Sequence, residues 1–194
     1  MKRLLLILSL VVMHITCCVA QSDFQKAIAN YKNVKKATAE VTKTRHKKAL
    51  KKDQVTTGGA FLLRPDMISI STNEGQDKLV MQGTRFTMTV GGKEQVTDSR
   101  KNPQFATFHT VLTSIINGGT TDITQLEDVS VSKTSDSYSV TITPTTDNDK
   151  KKKRMMFSSF VLVLDKKTGA FKLLRMVERD GSFTDYEFKK FVFE

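Results

Sequence analysis

Short runs of alternating apolar and polar residues, separated by glycine-containing turns, recur along most of the chain. Phe86, Met88 and Val90 alternate with threonines, and the run from Tyr138 to Ile142 repeats the pattern. A period of two residues gives a β-strand one apolar and one polar face. Gly-Gly at 91–92 and Asp-Gly at 180–181 indicate tight reversals between strands. The sequence therefore predicts an antiparallel sheet, with enough strands that it should curl rather than stay flat.

Two segments break this strand rhythm and predict helices. Apolar residues recur at helical spacing over residues 22–36, beginning with Phe24. Over residues 103–117, Asn102 is placed to cap a helix, Pro103 suits its first turn, and Gly-Gly at 118–119 suits its end. The second helix has a broad apolar face, made by Phe105, Phe108, Val111, Leu112, Ile115 and Ile116. Both helices are expected to lie against the concave side of the sheet, which gives an α+β fold that is mainly antiparallel β.

The last strand contains a change of parity. Tyr186 and Phe188 fall on one face, whereas Phe191 and Phe193 would fall on the other. An extra residue in one strand of an antiparallel pair produces such a shift. The sequence therefore predicts a β-bulge, or the end of regular pairing, between Phe188 and Phe191.

Residues 1–20 have the pattern of a secretory signal peptide. Lys2 and Arg3 precede an apolar run from Leu4 to Met13, which is shorter than the roughly 20 residues that span a bilayer. Cys18-Val19-Ala20 places small residues at the positions that a signal peptidase reads before Gln21. We therefore expect export from the cytoplasm and a single domain over residues 21–194. Two alternatives remain open, an uncleaved membrane anchor and lipidation at Cys17 or Cys18.

The charge of the chain is strongly positive. The formal net charge is +11, and +9 if Lys2 and Arg3 leave with the signal peptide. Export argues against a nucleic-acid partner, as does the absence of interleaved aromatic and basic residues. The basic residues cluster at 43–52 and 150–154, which could be solvated hairpin ends or a surface that docks on an acidic protein or an anionic membrane. The candidate docking residues are Lys47, Lys48, Lys151, Lys152 and Lys153.

The sequence offers little for catalysis. Beyond the signal peptide the histidines are His46 and His109, no cysteine remains, and no spacing suits a metal site. No nucleophile elbow or phosphate-binding loop is present. We therefore predict a protein without catalytic residues, metal or cofactor, whose activity is binding.

Three stretches carry a resemblance to a known family. They are Gly59–Asp66 (GAFLLRPD), Lys78–Met88 (KLVMQGTRFTM) and Asp180–Phe188 (DGSFTDYEF). Together with the strand-rich pattern and the apolar helix, they make the chain similar to the LolA-type outer-membrane lipoprotein carriers over nearly the whole exported part.

The resemblance implies an incomplete, half-open β-barrel with helices forming a lid over an apolar cavity. By position, Arg64 matches the arginine whose hydrogen bonds to lid residues hold such cavities closed. Because Arg64 shares a strand face with Leu62, an inward-pointing arginine is expected, although a solvent-facing cation at a strand end is the alternative. The expected cavity residues are Leu62, Met67, Met81, Phe86, Met88, Phe105, Phe108, Leu112, Ile115 and Ile116.

The resemblance also implies a function. Such a protein takes acylated lipoproteins from an inner-membrane lipoprotein-releasing transporter, shields their acyl chains in the periplasm, and hands them to an outer-membrane acceptor. It is expected to work as a monomer. The alternative is a periplasmic sensor that binds lipid or lipoprotein on the same half-barrel without shuttling it.

Overall fold

The computed structural model describes residues 23–146 and 155–194. The signal peptide predicted over residues 1–20, with Cys17 and Cys18, lies outside them. The described chain forms one open antiparallel sheet of eleven strands, in the order β6-β5-β4-β3-β2-β1-β11-β10-β9-β8-β7. The strands are β1 Ala37–His46, β2 Gln54–Arg64, β3 Met67–Thr72, β4 Asp77–Gln82, β5 Arg85–Val90, β6 Lys93–Asp98, β7 Val129–Lys133, β8 Ser137–Ile142, β9 Phe157–Asp165, β10 Phe171–Glu178 and β11 Phe183–Phe193.

Two helices accompany the sheet, as predicted. Helix α1 covers residues 23–29 and continues as a 3-10 turn over Asn30–Asn33. It is shorter than the predicted 22–36, because the chain is extended again from Val34 and enters β1 at Ala37. Helix α2, Pro103–Ile116, joins the two edge strands β6 and β7. None of the helices within the described ranges combines the length and apolar character needed to span a bilayer.

The sheet is curled, as predicted. Strands β5 and β9 are far apart in the strand order, yet both contact α2 on the same side of the sheet. Apolar side chains from the concave side and from both helices form one core. The architecture is consistent with a half-open barrel, with edge strands β6 and β7 left unpaired along one side.

The predicted bulge in the last strand is confirmed. The register between β1 and β11 shifts between Thr38 and Glu40, and Lys190 has a φ of 51°. This shift returns the two final phenylalanines to the core side of the sheet. The ring of Phe191 lies 5.4 Å from that of Phe61, and the ring of Phe193 lies 5.2 Å from that of Tyr31.

The turn between β9 and β10 holds α1 in place. The Tyr31 hydroxyl donates to the Gly169 carbonyl at 3.0 Å, and the Asn30 side chain donates to the Thr168 carbonyl at 3.1 Å. Gly169 has a φ of 74°, and a Cβ there would lie 2.4 Å from the Ala27 carbonyl oxygen. Glycine is therefore required both by the backbone conformation and by the close approach of the helix.

Asp165 stabilises this turn, so its replacement by asparagine should lower stability at neutral pH. Backbone and side-chain hydrogen bonds from Thr168, with a further backbone donor at Lys167, lower the pKa of Asp165 to about 2, although burial opposes the shift. A depressed folded-state pKa stabilises the fold above the unfolded value of 3.8 and loses that effect as pH falls towards 2. Urea unfolding at pH 7 should show a loss of about 1–2 kcal/mol for Asp165→Asn.

The pH dependence separates this effect from a general loss of packing. The difference between the wild type and Asp165→Asn should shrink as pH falls from 4 towards 2. Asp66→Asn, in the exposed turn between β2 and β3, is the matched control and should change stability little at any pH. A difference for Asp165→Asn that stays constant down to pH 2 would contradict the assignment.

Candidate functional site

Aromatic side chains bind α2 to the concave face of the sheet. The Phe105 ring stacks on Phe86 of β5 with centroids 4.1 Å apart, and the Phe108 ring stacks on Phe160 of β9 at 4.5 Å. Phe157, at the start of β9, lies 6.0 Å from Phe105. These contacts bridge the two halves of the curled sheet through the helix, so α2 occupies the space that a hollow half-barrel would leave open.

The polar attachments of α2 to the sheet are fewer than its apolar contacts. The Gln104 side-chain oxygen accepts from the backbone N–H groups of Met156 and Phe157 at 2.9 and 3.3 Å. His109 Nε2 lies 3.0 Å from the Gly83 carbonyl oxygen, in the turn between β4 and β5. Thr107 donates to Asp128 ahead of β7. The His109 contact gives this residue a structural role between α2 and the sheet.

Among the described residues, three spaces along the concave side are relevant to binding. The internal gap beneath α2 measures only about 20 Å³ and is lined by buried apolar side chains. The mouth pocket, about 340 Å³, is lined by Lys43, Arg45, Met88, Val90, Lys93, Gln95, Met156, Phe157, Met176, Glu178, Thr184 and Tyr186. The side pocket, about 130 Å³, lies at the N-terminal end of α2 and is lined by Phe86, Met88, Gln95, Val96, Thr97, Asn102, Gln104, Phe105 and Met156.

The three spaces adjoin one another. Met88, Gln95 and Met156 line both the mouth pocket and the side pocket, and Phe86 lines both the side pocket and the internal gap. The three spaces therefore lie in a row from the open end of the sheet, past the start of α2, to the aromatic side chains beneath it, separated by the side chains that they share. Of these three, the mouth pocket falls within the size range of small-molecule sites, which is about 300–1,000 Å³.

The wall of the mouth pocket formed by β1 is charged. Lys43 Nζ donates to Asp77 Oδ2 at 2.7 Å, and the Gly91 N–H donates to Asp77 Oδ1 at 2.7 Å. Burial alone would raise the pKa of Asp77, but the hydrogen bonds from Lys43 and Gly91 hold it below its usual value. Asp77 is therefore ionised at neutral pH, and its carboxylate faces the Lys43 side chain directly.

Arg45 and Tyr186 lie next to this pair. An Arg45 terminal nitrogen lies 3.7 Å from Glu178 Oε1, whereas its Nε is buried without a hydrogen-bond partner among the described residues. Burial raises the pKa of Tyr186 to about 12, so its hydroxyl stays protonated under physiological conditions. The pocket thus combines cationic and hydroxyl groups with methionine and phenylalanine side chains.

The structure brings some of the predicted cavity residues together. Met81, Phe86, Phe108 and Leu112 line the internal gap, Met88 lines the two larger pockets, and Phe105 lines the side pocket. Ile115 and Ile116 are buried in the core further along α2 and line none of these spaces. Their role in binding a ligand stays a prediction.

Leu62 and Met67 are placed differently from the expectation. Strand β2 buries Phe61 and Leu63, so Leu62 falls on the opposite, outer face and is half-buried there. Strand β3 buries Ile68 and Ile70, which puts Met67 on the outer face as well. The alternation of strand side chains makes both expected inward positions wrong.

Arg64 also lies away from the expected position. It is exposed on the outer face of β2, at the end of the strand, with the neighbouring Leu63 buried on the other side. The expected inward direction is therefore wrong, because the arginine shares its strand face with Leu62 and that face points outwards. Among the described residues it makes no hydrogen bond to α2. Its role as a lid latch stays a prediction that this placement does not favour.

The predicted basic cluster at 43–52 is divided by the fold. Lys47 and Lys48 lie at the tip of the β1–β2 hairpin with the exposed Leu50, which leaves them accessible for docking. Lys43 and Arg45 instead point into the mouth pocket, so they do not belong to a solvated hairpin end. Lys151, Lys152 and Lys153 lie outside the described residues, and their role in docking stays a prediction.

Sequence reasoning missed several residues of the mouth pocket. Lys43 and Arg45 continue the alternation of Ala37, Ala39 and Val41 along β1, so the period of the strand itself indicated an inward direction. Met156, Met176 and Tyr186 come from three separate segments, and no local pattern links them. Within the described ranges, no group of histidine, cysteine and carboxylate side chains could hold a metal ion.

Neither protein-family models nor curated proteins match the chain. Several solved structures, in contrast, are similar to it. A domain described as an outer-membrane lipoprotein-sorting protein from Vibrio parahaemolyticus has 10% identity and a TM-score of 0.43, covering 90% of this chain and 92% of its own. A LolA superfamily protein from Nitrosomonas europaea has 10% identity and a TM-score of 0.40, covering 90% and 93%. The Mycobacterium tuberculosis lipoprotein LppX has 11% identity and a TM-score of 0.36, covering 88% and 93%. With identities of 10–11% and TM-scores below 0.5, none of these similarities carries a conclusion about this chain.

Proposed function

We propose that this protein binds acyl chains on the concave side of its sheet and carries lipoproteins through the periplasm. The observation that carries the proposal is the row of adjoining spaces from the mouth pocket, through the side pocket, to the aromatic side chains under α2, which we take as the path of an acyl chain. An acyl chain that follows this path meets methionine first and phenylalanine further in. Methionine side chains adapt to ligands of variable shape, which suits chains of different length.

The internal gap is too small for an acyl chain, so binding has to move α2 or its side chains. Each ligand methylene that leaves water stabilises the complex by roughly 0.8 kcal/mol. This gain can offset the loss of the contacts between the helix and the sheet. The helix is held mainly by phenylalanine stacking, and an acyl chain can substitute for that kind of contact. Only the open molecules can bind lipid, so the apparent affinity falls in proportion to the fraction of molecules that are open. This lower affinity favours later release of the lipid.

The partners follow from the same proposal. The acylated lipoprotein would arrive from an inner-membrane releasing transporter and leave to an outer-membrane acceptor. The tip of the β1–β2 hairpin lies beside the turn that follows β10, since the Lys48 N–H donates to Ser182 Oγ at 3.2 Å. Because Glu178 and Thr184 at that end line the mouth pocket, Lys47 and Lys48 would contact a partner close to the opening through which the lipid passes.

Native mass spectrometry after purification from the producing cells tests the binding step. The expected result is a bound acylated species, or uptake of an added acylated lipoprotein with a defined mass increase. A protein that carries no such species and accepts none when it is offered would contradict the proposal.

A depletion experiment separates the carrier from a sensor on the same fold. Loss of a carrier should leave outer-membrane lipoproteins in the inner membrane, measured by fractionation of the two membranes. If lipoproteins still reach the outer membrane at normal levels, the protein binds lipid without shuttling it and the carrier role is wrong.

A further inference from the structure

The mouth pocket is lined by two chemically different kinds of residue, cationic and apolar. On the inner face of β1, small apolar residues give way to Lys43 and Arg45 as the strand approaches the open end. Met88, Met156 and Met176 belong to other segments that surround the same space. A ligand that fills the pocket therefore needs both a polar group and an apolar chain.

Among the cationic residues of the pocket, Arg45 has a buried N–H donor without a hydrogen-bond partner among the described residues. Lys43 is already matched by Asp77 at 2.7 Å. Arg45 has five N–H donors, yet its ion pair with Glu178 measures 3.7 Å and its buried Nε has no hydrogen-bond partner among the described residues. An unpaired buried donor costs roughly 1–3 kcal/mol, which an anionic ligand would offset. Lys93, at the start of β6, lines the same pocket and adds a further positive charge.

The negative charge in this part of the site is too small to neutralise the cations. Among the described residues that line the mouth pocket, Glu178 is the sole carboxylate, against Lys43, Arg45 and Lys93. Asp77 is fully engaged by Lys43 and Gly91. A positive charge therefore remains at the opening, where the neighbouring methionines keep part of the surface away from water and strengthen its attraction for an anion.

We propose that the mouth pocket binds the anionic head group of an acyl lipid, a phosphate or a carboxylate, through Arg45 with Lys93. The acyl chain then runs past Met88 and Met156 into the side pocket, towards the N-terminal end of α2. This inference rests on the proposed function and narrows its ligand class to lipids that carry an anionic group close to the acyl chain. Guanidinium groups bind phosphate and carboxylate in a bidentate manner, which fixes the orientation of the head group.

Two lipids that differ in a single group test the proposal. Lysophosphatidic acid and monoacylglycerol with the same acyl chain differ in the phosphate alone. Isothermal titration of the purified protein should show at least about tenfold tighter binding of lysophosphatidic acid, because a hydrogen bond to a charged group is stronger than one to a neutral group. Arg45→Gln should remove most of this preference, with a much smaller loss of affinity for monoacylglycerol than for lysophosphatidic acid.

Arg64→Gln is the matched control, because it removes the same charge from the exposed outer face of β2. It should leave both affinities unchanged. If Arg45→Gln fails to fold, Lys93→Gln on edge strand β6 serves as the test, because Lys93 is exposed and its replacement should not disturb the core. Lys93→Gln should lower the affinity for lysophosphatidic acid selectively, by about threefold.

The outcomes distinguish this inference from the function on which it rests. Equal affinity for the two lipids, or an equal loss in Arg45→Gln and Arg64→Gln, would overturn the head-group site while acyl-chain binding stands. Failure of the wild type to bind either lipid would overturn the proposed function itself. Displacement of lysophosphatidic acid by inorganic phosphate at a similar concentration would show that the site recognises the free anion and would overturn the lipid assignment.

Discussion

Replacing Phe108 with alanine should destabilise the protein by about 3–5 kcal/mol, the largest effect we expect from a single substitution. Phe108 is 1% exposed, stacks on Phe160 at 4.5 Å and contacts the edge of Phe86. Its removal would break the bridge that α2 makes between β5 and β9. Urea unfolding followed by far-ultraviolet circular dichroism measures the loss, provided that the transition stays two-state.

Phe108→Ala should also respond to ligand in a specific way. The lost ring would enlarge the internal gap, which an acyl chain could then fill, so added lysophosphatidic acid should restore more stability to this variant than it adds to the wild type. Phe183→Ala is the control, because Phe183 stacks on His46 on the outer face at 4.7 Å. It should lose less stability and gain no extra stability from lipid. Equal responses of the two variants to lipid would contradict binding under α2.

Replacing Met88 with glutamate should lower the affinity for acyl chains at least about tenfold. Met88 lies on β5, is half-buried, and lines both the mouth pocket and the side pocket. An ionised carboxylate there would have to lose water as an acyl chain passes, which costs several times the contribution of one methylene. Titration of the variant with monoacylglycerol measures the loss without any contribution from a charged head group.

Two control variants show whether a loss of affinity in Met88→Glu comes from the proposed path or from the added charge in general. Val192→Glu adds the same carboxylate to β11 at a position that is 50% exposed and lines none of the three spaces. Met88→Leu keeps the site apolar at a similar side-chain volume. Both should bind monoacylglycerol like the wild type. A similar loss of affinity in Val192→Glu and Met88→Glu would show that the proposed path is wrong.

Much of the fold could be predicted because its strands carry their information locally. Alternating residues identified β5 and β8. The parity change between Phe188 and Phe191 predicted the bulge that the structure contains. Edge strand β6 was not identified, because most of Lys93–Asp98 is exposed and no apolar residue alternates there.

The site could be predicted only in part, because it depends on how distant strands meet. The apolar face of α2 correctly indicated Phe105 and Phe108 as residues that cover the sheet. The direction of Arg64 depended on whether Leu62 or its neighbour Leu63 faces the core, and two adjacent leucines leave that choice open in the sequence. Aromatic rings from β5, α2 and β9 likewise determine how much of the interior is occupied, and these elements lie far apart along the chain.

Photo-crosslinking with a diazirine-bearing lysophosphatidic acid, followed by peptide mass spectrometry, tests acyl-chain binding on the concave side most directly. With the diazirine near the end of the acyl chain, we expect crosslinks to Met88, Met156 and Phe105, with excess unlabelled lipid suppressing them. Crosslinks confined to outer-face residues such as Leu62 and Met67, or crosslinks that unlabelled lipid does not suppress, would contradict the account.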